Sequence, residues 1–171
     1  PHKDHIEDIL SLGSVEIDRI VLPTHLKKSD YLTSETGSNV KRIFEEYHKL
    51  SKKCIKSETF YIEEIQFNFF CSKSVGKSHL NNHSITTIIL YLGFKIVLFG
   101  DNEIISQKTF LKDEKFHFLS KKCDLLLAPH HGRRSAVYVP MLKNLDPKIT
   151  LISDGNPKNT SVRSIYGCHS K

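Results

Sequence analysis

The 171-residue sequence lacks the features of membrane-inserted and disulfide-rich proteins. It has no run of about 18 apolar residues, which is the length that a membrane-spanning helix requires. Its four cysteines are widely spaced and form no C-x-x-C pair, so the pattern predicts neither a zinc ribbon nor a disulfide scaffold. Reduced thiols are typical of a reducing compartment, and we therefore expect the protein to be cytoplasmic.

The sequence has the composition of an ordinary globular domain, with 39% hydrophobic and 26% charged residues. This composition and length are sufficient for one hydrophobic core, so we expect a single domain over residues 1–171. The formal net charge of +6 favours anionic partners, because lysine and arginine neutralise phosphates. A lysine-rich surface that only keeps the protein in solution explains the charge equally well when charge is taken alone.

Hydrophobic periodicity predicts consecutive strands in the middle of the chain and strands alternating with helices after them. Helices are predicted at 6–12, 39–50, 102–122 and 137–145. Strands are predicted at 17–22 and 60–70, at "SITTIILYL" and "FKIVLFG" with a hairpin about Gly93, and at "CDLLLAP" and "KITLISDG". This order indicates layered α and β structure.

Side chains of the kind that bind metals stand beside three of the predicted elements. The cluster "PHKDH" precedes the first helix, Asp101 ends the strand "KIVLFGD", and His130 and His131 follow the strand "CDLLLAP". Strands that end in such residues place them on one rim of a sheet. Taken singly, an Asp after Gly is a common turn residue and paired histidines are common at surfaces. Together, nitrogen and carboxylate ligands suit zinc, manganese or iron.

These blocks resemble, in order, the motifs of the metallo-β-lactamase superfamily. "PHKDH" is similar to the end of the H-x-H-x-D-H signature, while "NNHSITTIILYLGFKIVLFGD" and "CDLLLAPHHG" resemble the N-N-x-S, G-D and H-H-G blocks of the competence-type (ComEC-like) branch. The resemblance implies an α+β fold, an αββα sandwich of the metallo-β-lactamase type that is truncated at both ends. The chain would then begin inside the signature, after its first histidine.

The resemblance also implies two divalent metal ions, zinc or manganese. Their ligands would be His2, Asp4, His5, Asp101 and His130. Asp101 would bridge the two ions, and Asp4 would be either a ligand or the residue that orients the attacking hydroxide. His130 is preferred to His131 because it is nearer the strand, which leaves His131 to contact substrate. Further candidates are His83, Asn82, Tyr166 and His169, although Asn82 and Ser84 are better explained as residues that order their loop.

The implied activity is that of a phosphodiesterase or nuclease-like enzyme that uses a metal-bound hydroxide. Its substrate would be anionic, a nucleotide or a nucleic acid, and Arg133 and Arg134 would bind the phosphate oxygens. Two alternatives stay open. Hydrolysis of a lactone, thioester or other carboxylic ester would suit apolar loops, but the loops here are mostly polar. A metal-binding or nucleic-acid-binding module without catalysis is the other.

Overall fold

The computed structural model describes residues 17, 19–30, 37–50, 53–54, 58–153 and 162–170. Within these ranges the chain has an α+β fold with one six-stranded mixed sheet and five α-helices. The strands are β1 Thr59–Ile62, β2 Ile65–Phe70, β3 Thr86–Tyr91, β4 Phe94–Leu98, β5 Leu125–Leu127 and β6 Ile149–Leu151. The helices are α1 Ser38–Leu50, α2 Ile104–Phe110, α3 Glu114–Ser120, α4 Val139–Leu145 and α5 Arg163–Gly167. None of the helices in the described ranges has both the length and the hydropathy of a membrane-spanning segment.

The six strands lie in the sheet in the order in which they occur along the chain. Strands β1 to β4 form an antiparallel meander, whereas β4, β5 and β6 run parallel to one another. The β3–β4 hairpin turns at Leu92 and Gly93, whose φ angles are +45° and +84°. Positive φ at both central residues is the geometry of the type I′ turn that suits the twist of a hairpin. The predicted hairpin about Gly93 is thus confirmed.

Three of the predicted elements differ from the observed ones. The segment 60–70 is not one strand, because a tight turn at Glu63 (φ +50°) separates β1 from β2 and pairs Ile62 with Ile65. The segment 102–122 contains two helices, since the Asp113 side chain accepts a hydrogen bond from the Phe116 amide at 2.8 Å and starts α3. In the predicted strand 17–22, the described residues form only one isolated bridge, from Ile20 to Cys54.

The main core lies between one face of the sheet and the helices α2 to α5. Ile88, Val97 and Leu126 stand side by side on β3, β4 and β5, and each is 0% exposed. Because side chains alternate across a strand, these three residues belong to the same face. The helices cover this face with a set of buried apolar side chains: Phe110, Phe116, Met141, Leu142, Leu145 and Tyr166.

Candidate active site

The parallel part of the sheet brings Asp101 and the two histidines to the same edge. Leu98 at the end of β4 pairs with Leu127 at the end of β5, so the residues that follow both strands leave the sheet together. The backbone amide of His130 donates a hydrogen bond of 2.8 Å to the Gly100 carbonyl, which joins the two segments directly. Strand β6 is also parallel and ends at this edge, and Ser153 follows it.

The segment Pro129–Gly132, hereafter the histidine loop, has an unusual backbone conformation. His130, His131 and Gly132 have φ angles of +48°, +58° and +79°, which are three consecutive left-handed residues. For a residue other than glycine, this conformation costs about 1–2 kcal/mol. Gly132 tolerates it, and a Cβ atom added there would lie only 2.8 Å from Cγ2 of Ile152. Strained backbone of this kind is concentrated at functional sites in proteins.

His131 is the histidine whose ring lies beside Asp101. Its Nδ1 is 3.1 Å from the Ser153 carbonyl oxygen, and because a carbonyl only accepts hydrogen bonds, Nδ1 carries a proton. Its Nε2 lies 3.5 Å from Oδ1 of Asp101, a carboxylate that is 8% exposed. Two ligands of one tetrahedral zinc ion, each about 2.0–2.2 Å from it, are separated by about 3.3–3.6 Å. The pair therefore contains either an imidazolium beside a carboxylate or two ligand atoms at a suitable separation for one metal ion.

His130 is held more firmly than His131, as its proximity to the strand predicts. It is 7% exposed, and its ring contacts charged side chains on both sides. Nδ1 is 3.1 Å from Oε1 of Glu103, while Nε2 is 3.1 Å from Nη1 of Arg133. These distances favour His131 over His130 as the partner of Asp101, and a metal-binding role for His130 stays a prediction.

Asn82 and Ser84 order the loop before β3, which is the role that the sequence favoured for them. Asn82 is fully buried, and its Oδ1 accepts hydrogen bonds from the amides of Glu103 (3.0 Å) and Ser106 (3.2 Å) and from the Ser106 hydroxyl (2.9 Å). These contacts satisfy amides at the start of α2 that have no partner within the helix. Ser84 Oγ accepts a hydrogen bond of 3.3 Å from the amide of Asp101. The loop thus supports the backbone on both sides of the candidate site.

His83 is fully buried, and both of its ring nitrogens have protein partners. Nε2 lies 3.3 Å from the Gly76 carbonyl, and Nδ1 lies 2.9 Å from Nε2 of His25. Nδ1 also lies 3.2 Å from the Ser72 carbonyl, so both ring nitrogens of His83 face a carbonyl oxygen, and which ring donates in the contact with His25 depends on the tautomer. Burial, and then the neighbouring His83 and Lys73, lower the pKa of His25. The structure therefore places His83 in a buried pair with His25 rather than beside Asp101.

A cavity of about 640 Å³ lies beside this histidine pair. Its walls include His25, Cys71, Lys73, Phe70 and Phe110, while none of its described lining residues is Asp101, His130 or His131. Burial raises the pKa of the Cys71 thiol to about 11, so this thiol is protonated near neutral pH. The cavity walls carry charged side chains as well, including Lys73, but the contact between Asp101 and His131 lies at the sheet edge and not in the described cavity walls.

The remaining candidates from the C-terminal part lie in other surroundings. Tyr166 is 2% exposed and packs in the main core, where burial raises the pKa of its hydroxyl. His169 follows α5, and its neighbour Ser170 forms a hydroxyl contact of 2.7 Å with Thr150 of β6. Arg134 is exposed at the start of the short 3-10 helix Arg134–Ala136.

The first group of predicted ligands, His2, Asp4 and His5, lies outside the described residues, and their roles stay predictions. In the part of the chain that the structure describes, no three or more His, Cys, Asp or Glu side chains are grouped so that they could hold a metal ion. Two predicted site residues, Asp101 and His131, do have donor atoms at a separation that fits one ion. Of these two, Asp101 was predicted as a ligand and His131 as a substrate contact, so the predicted metal site stays a prediction.

Two contacts of the histidines involve residues that were not among the predicted site residues. Glu103 reaches His130, and its only sequence signal was its position two residues after Asp101. The carbonyl of Ser153 contacts the ring of His131, and Ser153 lies within the last predicted strand, "KITLISDG". The candidate site is thus defined by the geometry of this chain. No protein-family model matches the sequence of this chain, and neither does any curated protein.

Proposed function

We propose that the chain is a metal-dependent hydrolase of phosphodiesters. The observation that carries this proposal is the distance of 3.5 Å between Asp101 Oδ1 and His131 Nε2, at the edge where three parallel strands end. The strained histidine loop and a guanidinium beside it support the proposal. The charge of +6 agrees with an anionic substrate, a nucleotide or a nucleic acid.

Asp101 and His131 would hold a divalent ion, zinc or manganese, and His2, Asp4 and His5 are the predicted ligands that would complete the site. Such ions polarise a phosphoryl oxygen and lower the pKa of water, which is the chemistry that phosphodiester hydrolysis requires. The protein orients its own donors for this role. The Ser153 carbonyl directs Nε2 of His131 towards Asp101, and the hydroxyl of Ser84 accepts from the Asp101 amide.

Arg133 has the chemistry to bind the substrate. A guanidinium forms charge-assisted, often bidentate hydrogen bonds with phosphate oxygens, and it keeps its charge at every relevant pH. Arg133 directly follows the histidine loop, and its Nη1 lies 3.1 Å from His130. Negative charge that develops on the phosphoryl oxygens in the transition state would be stabilised by this cation.

We also propose that the described sheet is one of the two sheets of an αββα sandwich of the metallo-β-lactamase type. Its face opposite the main core carries Phe67, Ile89 and Ile96 side by side, and each is half-buried. An apolar sheet face is stable when a second layer covers it. The parallel bridge between Ile20 and Cys54 lies outside the six strands and is suitable for such a layer.

The test compares two substrates in the double variant Arg133→Ala/Arg134→Ala. On a phosphodiester, kcat/KM of the variant should fall by an amount that corresponds to roughly 2–4 kcal/mol of lost transition-state stabilisation, because charge-assisted hydrogen bonds are removed. Hydrolysis of a small neutral ester should barely change, and the loss on the phosphodiester should shrink at high salt. Arg42→Ala on the exposed side of α1 is the matched control. An equal loss on both substrates, or no loss on the phosphodiester, would contradict the phosphate-binding role.

A further inference from the structure

We propose that Glu103 is a positioning residue that fixes the tautomer of His130 and, through it, the guanidinium of Arg133. The proposal rests on the proposed function in one respect, the binding of substrate phosphate by Arg133. Glu103 immediately precedes α2, and its carboxylate reaches the histidine loop. Its Oε1 lies 3.1 Å from Nδ1 of His130 and 2.9 Å from the hydroxyl of Ser135.

The two neighbours of the His130 ring require the same distribution of protons. A carboxylate only accepts hydrogen bonds, so the contact with Glu103 requires a proton on Nδ1. A guanidinium only donates, so the contact with Arg133 requires a lone pair on Nε2. The other neutral tautomer would direct a lone pair at the carboxylate and a proton at the guanidinium. Glu103 and Arg133 therefore select one tautomer of a neutral ring between them.

The surroundings hold this arrangement in place. The backbone of Glu103 is fixed because its amide donates to Asn82 Oδ1 at 3.0 Å. The His130 side chain is 9% exposed and the Glu103 side chain 27%, so the contact is largely shielded from water. Hydrogen bonds in such surroundings are stronger than in water and hold their partners more rigidly. The carboxylate, the ring and the guanidinium form a chain of hydrogen-bonded groups, in which Glu103 and His130 are shielded and Arg133 is exposed.

This chain ends beside the pair that we assign to the metal. The ring centroids of His130 and His131 are 6.2 Å apart, and the His131 ring contacts Asp101. A guanidinium that is already held in place loses less conformational freedom when phosphate binds. Glu103 thus acts at a distance from the substrate, by keeping the Arg133 cation oriented for the phosphate oxygens.

The experiment uses Glu103→Ala, which removes the acceptor, and Glu103→Gln, whose amide oxygen can still accept from Nδ1 of His130. Glu64→Gln, in the exposed β1–β2 turn, is the matched control. The first readout is the tautomer of His130 in nitrogen-15 imidazole spectra, assigned with His130→Asn. We expect the Nδ1-protonated form in the parent, in Glu103→Gln and in the control, and loss of this preference in Glu103→Ala.

The second readout is kinetic and uses bis(4-nitrophenyl) phosphate. Glu103→Ala should raise KM about tenfold and change kcat by less than about threefold. Mutation of a residue that supports a binding group typically lowers affinity or activity about 10–100-fold. Binding of inorganic phosphate should weaken by a similar factor. In Glu103→Gln, KM and the phosphate affinity should both stay close to those of the parent. If Glu103→Ala does not fold, Glu103→Met replaces it, because Met keeps the side-chain length without an acceptor.

The two proposals fail in different ways. An unchanged His130 tautomer in Glu103→Ala, or the same change in Glu64→Gln, would overturn the role of Glu103. If the parent hydrolyses no phosphodiester, the proposed function fails, while the tautomer spectra still decide whether Glu103 positions the ring.

Discussion

The Nε2 atom of His25 lies 2.9 Å from the Nδ1 atom of His83, so two imidazoles from distant parts of the chain share one hydrogen bond. Both ring nitrogens of His83 also face a backbone carbonyl, Nε2 that of Gly76 at 3.3 Å and Nδ1 that of Ser72 at 3.2 Å. The pKa of His25 is lowered by burial, then by His83, Lys73 and Lys77, while Asp30 opposes the shift. The native state therefore holds His25 neutral more firmly than the unfolded chain does.

We predict that stability falls on acidification partly through His25. As the pH drops below the unfolded pKa of about 6.5, the unfolded chain binds the proton first, so the free energy of unfolding decreases until the pH passes the lower native pKa. His25→Gln keeps a side-chain amide that can donate or accept a hydrogen bond beside His83, and it cannot titrate. Its unfolding free energy, measured by urea denaturation at several pH values, should decline less steeply than that of the parent. His117→Gln, on the exposed side of α3, should decline like the parent. Equal slopes in all three proteins would contradict the prediction.

Metal binding should depend on Asp101 and His131 more than on other polar residues nearby. Removing one ligand of a shared ion leaves the other ligand and the ion with an incomplete coordination shell. We expect Asp101→Ala and His131→Ala each to weaken zinc binding at least tenfold, about 1.4 kcal/mol or more, in calorimetric titrations. His79→Ala, at an exposed loop position, is the control.

His130→Ala completes this series. A smaller loss than in His131→Ala would agree with the distances described above, and a larger one would restore His130 as the preferred ligand. Zinc affinity that is unchanged in both Asp101→Ala and His131→Ala would contradict the metal assignment.

The sequence was sufficient for the elements that have strong hydrophobic patterns. The hairpin about Gly93 and the strand that contains Leu126 were predicted because apolar runs and a turn glycine identify them. The turn at Glu63 was missed because Ile62 and Ile65 keep the apolar pattern on both sides of it, and neither of the two turn residues is Gly or Asn. Periodicity reports which face of a strand is apolar, and it does not report where the chain reverses.

The candidate site was predictable only as a set of residues that should converge. Asp101 and the two histidines were placed correctly at one sheet edge, because parallel strands end together. Which ring nitrogen faces which partner depends on the backbone of the histidine loop, and its left-handed angles have no signal in the sequence apart from Gly132. The contact of Glu103 with His130 depends on the direction in which α2 starts, which tertiary packing determines.

Gly132→Ala should destabilise the protein in a way that depends on Ile152. The φ angle of +79° strains any residue with a Cβ atom, and that atom would lie 2.8 Å from Cγ2 of Ile152. Strain and overpacking together should lower the unfolding free energy by roughly 2–4 kcal/mol. Combining the change with Ile152→Ala removes the clash but not the strain. In a double-mutant cycle measured by urea denaturation, the two changes together should therefore cost less unfolding free energy than the sum of the single changes. A cost equal to that sum would contradict the clash.

Asn82→Ala should be unusually destabilising for a polar residue in a loop. Its Oδ1 accepts three hydrogen bonds at the start of α2, from the amides of Glu103 and Ser106 and the Ser106 hydroxyl. Leaving these buried donors without a partner should cost about 1–3 kcal/mol of unfolding free energy. Asn81→Ala, one residue earlier, is the matched control in the same thermal or urea measurement. A similar small effect of both changes would show that Asn82 does not hold the helix start.

The order of the strands in the sheet also bears on the order in which strand pairs form during folding. Strands β1 and β2, and likewise β3 and β4, are joined by two-residue turns, so each of these hairpins forms with little loss of chain entropy. Pairing β4 with β5 requires closure of the whole 99–124 connection, which contains α2 and α3. The entropy of closing a loop grows with its length, and non-local parallel pairing is slow for this reason. We therefore expect Asp101 and His131 to come together in a late step of folding, so that the distance between them is a property of the completed sheet rather than of either hairpin.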